Sequence, residues 1–297
     1  MYFNYNLPVN ITFGRGSIRE IGAVTADYGT RAMIVTGQSS AKESGLLDRV
    51  VNYLKKYGIE NCVYDNVRPN PLTTNAEAAA EFAVSNKCNV VIGLGGDSVM
   101  DCAKGAAFMA VNKGSIDDYI FNAEESKKSL PVILAPTTCG TGSEGNGSAL
   151  LTNPKTGNSK YLRSDAIIPK ASIIDSECMA TMPKIILAYA GFNALCHCME
   201  AYISRTSRYM SDMFSKTGME LISKSLIPLY EGENSPKMWD DLSFAGVLGG
   251  MAVYTAGAAL PHGMEQPLRG IKNVIQGRGL AALTPVIMEE SIKYAPH

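Results

Sequence analysis

The first half of the chain alternates short apolar runs with stretches of helical spacing. RAMIVTG (31–37), NCVYDNV (61–67), CNVVIGLGG (88–96), LPVILAPTT (130–138) and ASIID (171–175) are rich in β-branched and aliphatic residues and predict buried strands. Between them, the segment up to Tyr57, TTNAEAAAEFAVSNK (73–87) and SVMDCAKGAAFMAVN (98–112) predict helices. Near-continuous apolar strands separated by helices imply a parallel sheet covered on both faces. After Met182-Pro183 only helical periodicity is visible, broken by Gly and Pro. The pattern predicts an α/β half with a Rossmann-like parallel sheet, over residues 1–180, and an all-α half, over 181–297, with a cleft between them.

One run, Phe244–Leu260, is apolar enough to suggest a membrane. It is barely long enough to span, contains Gly246, Gly249, Gly250 and Gly257, and has no basic flanks, so a buried helix is expected. The 297 residues are 46% hydrophobic and 19% charged with a net charge of −1. That gives no electrostatic pull toward nucleic acid or an anionic membrane. The N-terminal MYFNYNLPVNITFGRG has no basic stretch leading into an apolar one, which argues against a secretory signal. Seven scattered cysteines among apolar neighbours read as reduced thiols of a cytoplasmic protein. Cys196-His197-Cys198 looks like a ligand cluster, but i and i+2 point to different sides of a helix.

Candidate chemistry sits in two turns and one helix. IGLGGDSVMDCAKG (92–105) carries a strand into Gly93-Leu94-Gly95-Gly96 and then a helix from about Ser98, with Ser98 and Asp101 spaced as a capping box. Glycines before a helix N-terminus let a diphosphate approach free N–H groups. Asp97 opposes that use by repelling an anion, although it suits the helix dipole. A second loop, PTTCGTGSE (136–144), supplies Thr137, Thr138, Thr141 and Ser143 at the same sheet edge. In GFNALCHCMEAY (191–202), Asn193 and His197 are one helical turn apart on one face.

These motifs, with FGRGS (13–17), PNP (69–71), IIDSE (173–177) and LPHGMEQP (260–267), resemble the iron-containing (group III) alcohol dehydrogenase family, most closely its butanol and propanediol dehydrogenase branches. The motifs follow the family's order along the whole chain. The resemblance implies a dehydroquinate synthase-like fold, a cofactor of the NAD(P) type, a homodimer, and a small-molecule alcohol or aldehyde substrate. It implies Gly95, Gly96, Asp97 and Ser98 at the diphosphate, Thr137, Thr138 and Thr141 near the nicotinamide half, Asn70 near the cofactor and Lys160 on the ribose. Gly37 stands where NAD-preferring members carry an acidic residue. With Ser39 and Ser40 it leaves room for a 2′-phosphate, which points to NADP.

The same resemblance places Asn193, His197, His262 and Gln276 on the four metal-ligand positions for Fe2+ or Zn2+, and His262 and Gln266 on the catalytic ones. The family supplies an aspartate and three histidines there, and a further histidine where Gln266 stands. Two amides in place of a carboxylate and an imidazole leave a neutral set, which is poor for either ion. The chain also ends at His297, before the family's helical half is normally complete, and His297 itself has no expected role. Three functions follow: a nicotinamide-dependent alcohol dehydrogenase or aldehyde reductase; a catalytically impaired or metal-free homologue with the same fold; and a glycerol-dehydrogenase-like polyol oxidoreductase or a dehydroquinate-synthase-like lyase.

Overall fold

The expected strands form a six-stranded parallel sheet in the computed structural model, which describes residues 5–122 and 125–294. His297 lies outside the described residues. In chain order the strands are β1 (Asn10–Phe13), β2 (Arg31–Gly37), β3 (Glu60–Val67), β4 (Val90–Gly95), β5 (Val132–Pro136), β6 (Ser148–Thr152), β7 (Ser159–Arg163) and β8 (Ala171–Ile174). The large sheet runs β1-β8-β5-β4-β2-β3, and β6 and β7 pair antiparallel beside it. Its helices are α1 (Ile21–Ala26), α2 (Ser40–Glu43), α3 (Leu46–Lys56), α4 (Thr73–Ser85), α5 (Asp97–Met109) and α6 (Ile116–Phe121).

Strand β2 explains the layering. Successive side chains of a strand face opposite sides. Ala32 and Ile34 pack with Val50 and Leu54 of α3, whereas Met33 and Val35 pack with Val99, Met100 and Ala103 of α5. Both faces are therefore dry, which is why the strand reads as one continuous apolar run. The chain leaves β2 toward β3 on one side and returns to β4 on the other. The order reverses there, which opens a crevice at the carboxyl ends of β2 and β4.

From Lys184 onward every element is helical: α7 (Lys184–Ile203), α8 (Tyr209–Glu231), α9 (Pro236–Ala256), α10 (Leu260–Lys272) and α11 (Gln276–Tyr294). Among the described residues no single helix is long and apolar enough to cross a membrane. Helices α9 and α10 pass that test only as a pair, bent by 103°. The glycines of α9 have a packing role instead. A Cβ on Gly250 would lie 2.3 Å from the Gly142 carbonyl oxygen, so α9 docks backbone to backbone on the loop after β5. Gly142 itself has φ +61°, which glycine adopts without strain.

Four features depart from the sequence reading. Strand β1 and the β6–β7 hairpin were not anticipated. The helix expected up to Tyr57 is two helices, divided at Gly45 with φ +70°. The Ser98–Asp101 capping box is absent. Helix α5 starts at Asp97 with extended Gly96 as its cap, so Asp101 falls on the inner face. There its carboxylate accepts from Ser143 Oγ and from the Leu150 amide, both at 2.9 Å. Ser98 Oγ instead accepts from the Asn70 amide at 3.2 Å.

Candidate active site

Two cavities meet at the boundary between the sheet and the helices. The outer one, about 350 Å³, occupies the crevice at the ends of β2 and β4. Gly37, Ser39, Ser40, Asn70, Gly96, Asp97, Ser98, Thr138 and Thr141 line it, together with Asn193 and Gln276 from the helical side. Gly95 is the last, buried residue of β4 beneath it. Thr137 opens onto a neighbouring 240 Å³ hollow that shares Gly96, Thr138 and Ser40 with the crevice. Lys160 is not brought in: it is exposed on β7, with its ammonium 5.8 Å from the centre of the Phe121 ring. The PNP turn closes one end. Asn70, at φ +55°, donates through Nδ2 to Asn273 Oδ1 at 2.7 Å and to the Val274 carbonyl at 3.2 Å. Sheet and helices are thus latched across the crevice.

The inner cavity, about 330 Å³, lies behind it and is lined by Tyr161, Arg163, His197, Tyr254 and Arg269 among others. Asp97, Thr141 and Gln276 belong to both linings and form the neck between them. Asn193 and His197, one turn apart on α7, face the outer and inner cavity respectively.

Beneath this neck is a buried polar knot. Glu200, one further turn along α7, is 1% exposed and approaches His262 Nδ1 at 2.6 Å. Its other oxygen accepts from the backbone amides of Ala259 at 2.8 Å and His262 at 3.4 Å, which are orphan donors at the start of α10. His262 Nε2 lies 3.2 Å from Asn193 Oδ1, and Asn193 Nδ2 donates to the Gly140 carbonyl at 3.4 Å. The His262 and His197 rings stack, with centres 4.6 Å apart. Burial, with the neighbouring His262 ring second, holds His197 well below the ordinary imidazole range, so it is neutral. Its Nδ1 has no partner among the described residues. Asn193, His197, His262 and Gln276 are all buried; His262 touches Asn193 and stacks on His197, while Gln276 lines both cavities. By contrast, neither His262 nor Gln266 lines either cavity, and Gln266 is only half-buried. Glu200 went unrecognised in the sequence. Its position three residues after His197 and seven after Asn193 was the available signal, since all three share a helical face.

The donor set does not fit a tightly held transition-metal ion. Among the described residues no three His, Cys, Asp or Glu side chains stand together as a ligand group. His262 Nε2 is turned to the Asn193 amide, and amide oxygens are weak donors for iron or zinc. The flanking cysteines add nothing: Cys196 Sγ faces Thr284 Oγ1 at 3.4 Å, and the Cys198 sulfur packs against Gly218. All seven cysteines are free.

A second buried network sets the two loops against each other. Lys104 Nζ donates to the Ser143 carbonyl at 2.6 Å and hydroxyl at 2.8 Å, to the Asn146 carbonyl at 2.8 Å and amide oxygen at 3.2 Å, and to the Ser148 carbonyl at 2.9 Å. Burial lowers its pKa to about 8, against the opposing pull of Asp101 and Glu144. Asp101 is raised to about 6 and Glu144 to about 7, both chiefly by burial. This network fixes the α5 N-terminus relative to the loop that carries Thr141.

Comparison with known proteins bears on the family and the fold. The family model for iron-containing alcohol dehydrogenase matches residues 8–176, and that for the C-terminal part of the Fe-containing alcohol dehydrogenase family matches residues 187–297. Alcohol dehydrogenase 4 of Saccharomyces cerevisiae (strain YJM789) is 30% identical over 294 residues, covering 97% of this chain and 76% of the yeast protein. The 1,3-propanediol dehydrogenase of Citrobacter freundii is 30% identical over 285 residues, covering 95% of this chain and 74% of that one. The NADH-dependent butanol dehydrogenase A of Thermotoga maritima superposes with a TM-score of 0.92 at 31% identity, over 99% of this chain and 75% of that one. The chain belongs to the iron-containing alcohol dehydrogenase family.

Proposed function

We propose that this chain is an oxidoreductase that transfers hydride between a nicotinamide dinucleotide in the outer crevice and a small alcohol or aldehyde in the inner cavity. The observation that carries this is the shared neck of Asp97, Thr141 and Gln276, which joins a helix N-terminus able to take a phosphate to a substrate-sized chamber. Residues 1–180 are read as the cofactor half and 181–297 as the substrate half. Hydride transfer here draws on positioning, since a neck that aligns the nicotinamide with a carbonyl carbon supplies orientation. No step is assigned to a metal ion.

For the cofactor we favour NADP. A Cβ on Gly37 would meet nothing closer than Val99 Cγ2 at 3.9 Å, so the end of β2 is open. Ser39, Ser40 and the exposed Arg68 line the same crevice, offering hydroxyls and a positive charge to a 2′-phosphate. The proposal also places the protein in the reducing cytoplasm as a homodimer.

A second reading, a metal-free homologue with impaired catalysis, is favoured by one observation: the amides at positions 193 and 276 and the turn of His262 Nε2 toward Asn193. One experiment separates the two. Purified protein is analysed for bound metal and assayed for NADH and NADPH oxidation with short-chain aldehydes, with and without added zinc or ferrous iron. Oxidation under either condition supports the first reading. Its absence throughout sinks that reading and favours the second.

A further inference from the structure

One cation in the inner cavity is unexplained by any contact described so far. Arg269, on α10, is 2% exposed, and among the described residues no carboxylate lies within 4.0 Å of its guanidinium. Among the described residues its Nε and Nη2 have no hydrogen-bond partner although both are buried. A buried guanidinium in this state is strongly unfavourable unless an anion completes it. Glu265, one turn earlier on the same helix, and Asp101 act on it electrostatically, but neither is hydrogen-bonded to it, and both Glu265 oxygens are without partners among the described residues.

The cavity offers a route to completion. Arg269 lines it, as does Arg163, whose guanidinium is 5.2 Å from the centre of the Tyr161 ring, itself part of the wall. Neither arginine lines the outer crevice, although Arg269 also borders a third hollow beside the PNP turn. The carboxylates on the wall are disposed differently. Asp101 is occupied by Ser143 Oγ and the Leu150 amide. Asp97 stands at the neck. An elongated substrate with one anionic end is repelled by Asp97 and attracted by the two guanidinium groups on the wall. That polarity turns its uncharged, reacting end toward the cofactor.

We propose that Arg269, with Arg163, anchors an oxyanion, so that the preferred substrate is a short alcohol or aldehyde bearing a carboxylate or sulfonate at its far end. Guanidinium groups match such oxyanions in a bidentate geometry. The inference rests on the inner cavity being the substrate chamber of the proposed oxidoreductase.

Binding tests it without requiring turnover. The full chain is titrated calorimetrically with a short ω-hydroxycarboxylate, the matching ω-hydroxysulfonate and the uncharged α,ω-diol of the same length. Either or both anions should bind at least about tenfold more tightly than the diol, a difference of about 1.4 kcal/mol. Which anion binds better identifies the oxyanion. Arg269→Gln should abolish the advantage, and Arg163→Gln, at an exposed position that does not threaten folding, should reduce it. Glu265→Gln, which removes a nearby competing carboxylate, should tighten anion binding. If Arg269→Gln fails to fold, Arg163→Gln and Glu265→Gln decide. The inference is overturned if the diol binds the unaltered protein as tightly as the anions, if neither anion binds, or if the arginine variants keep the full advantage. A protein that binds the anions but oxidises no NAD(P)H would leave the anchor standing and count against the proposed reaction instead.

Discussion

Replacing Glu144 by glutamine should make the protein more stable, and the size of the gain should depend on pH. Glu144 follows the loop that carries Thr141, is 2% exposed, and has one carboxylate oxygen with no partner. Burial raises its carboxyl from the ordinary 4.5 to about 7, outweighing its backbone hydrogen bond and the Lys104 ammonium, which both act to lower it. A carboxyl whose folded pKa lies above its unfolded one binds a proton more readily in the folded state. The ionised group therefore costs stability above about pH 7, and the cost disappears as pH falls toward 4.5. At about 1.4 kcal/mol per pH unit, the cost above neutrality is on the order of 3 kcal/mol. Glutamine keeps the shape and never ionises. Urea unfolding of both proteins at pH 8 and at pH 4.5 reads the effect; Lys104, whose ammonium Glu144 supports, loses that support in the variant and trims the gain at pH 8. The variant should be the more stable at pH 8, by an amount of that order, and nearly equal at pH 4.5. An equal difference at both pH values, or destabilisation at pH 8, would refute the reasoning.

Three further outcomes are expected. Asp97→Gly removes a carboxylate from the α5 N-terminus and should tighten NADPH binding about tenfold, near 1.4 kcal/mol, as read by cofactor fluorescence. Gly250→Ala drives a methyl group into the Gly142 carbonyl and should cost about 1–3 kcal/mol of stability in chemical denaturation. The pair Asn193→Asp with Gln276→His restores a carboxylate and an imidazole around His197 and His262. It should retain bound zinc or iron through gel filtration while the unaltered protein does not, as read by elemental analysis.

The parallel core was legible because β2, β4 and β5 are buried on both faces, so burial itself is written as continuous aliphatic residues. Strand β1 was not, because NITF is only four residues and pairs with β8 across most of the sheet-forming chain, a contact that local periodicity cannot register. The hairpin of SALLT and SKYLR was hidden for a different reason: β7 is partly exposed and polar, without a clean alternation. In the site, Asn193 and His197 were visible through helical spacing, and Gln276 and His262 through the family resemblance. Glu200 shares their face, and its bond to His262 joins residues 62 positions apart. The Ser98–Asp101 box failed because an acidic residue near a helix start satisfies two patterns. Tertiary demand from Leu150 and Ser143 chose the inward one. Arg269 carried no sequence signal at all. A basic residue in the last turn of a helix is ordinarily a solvated partner of the helix dipole, and only the fold reveals its burial.

The most direct measurement of the central claim follows the hydride itself. NADPH deuterated at its transferable position is incubated with a molar excess of protein and a short aldehyde, neutral or anionic, and the alcohol product is analysed by mass spectrometry. The account predicts an alcohol heavier by one deuterium, formed only when protein is present. Intact aldehyde and unconsumed label, under conditions where NADPH is bound, would contradict it.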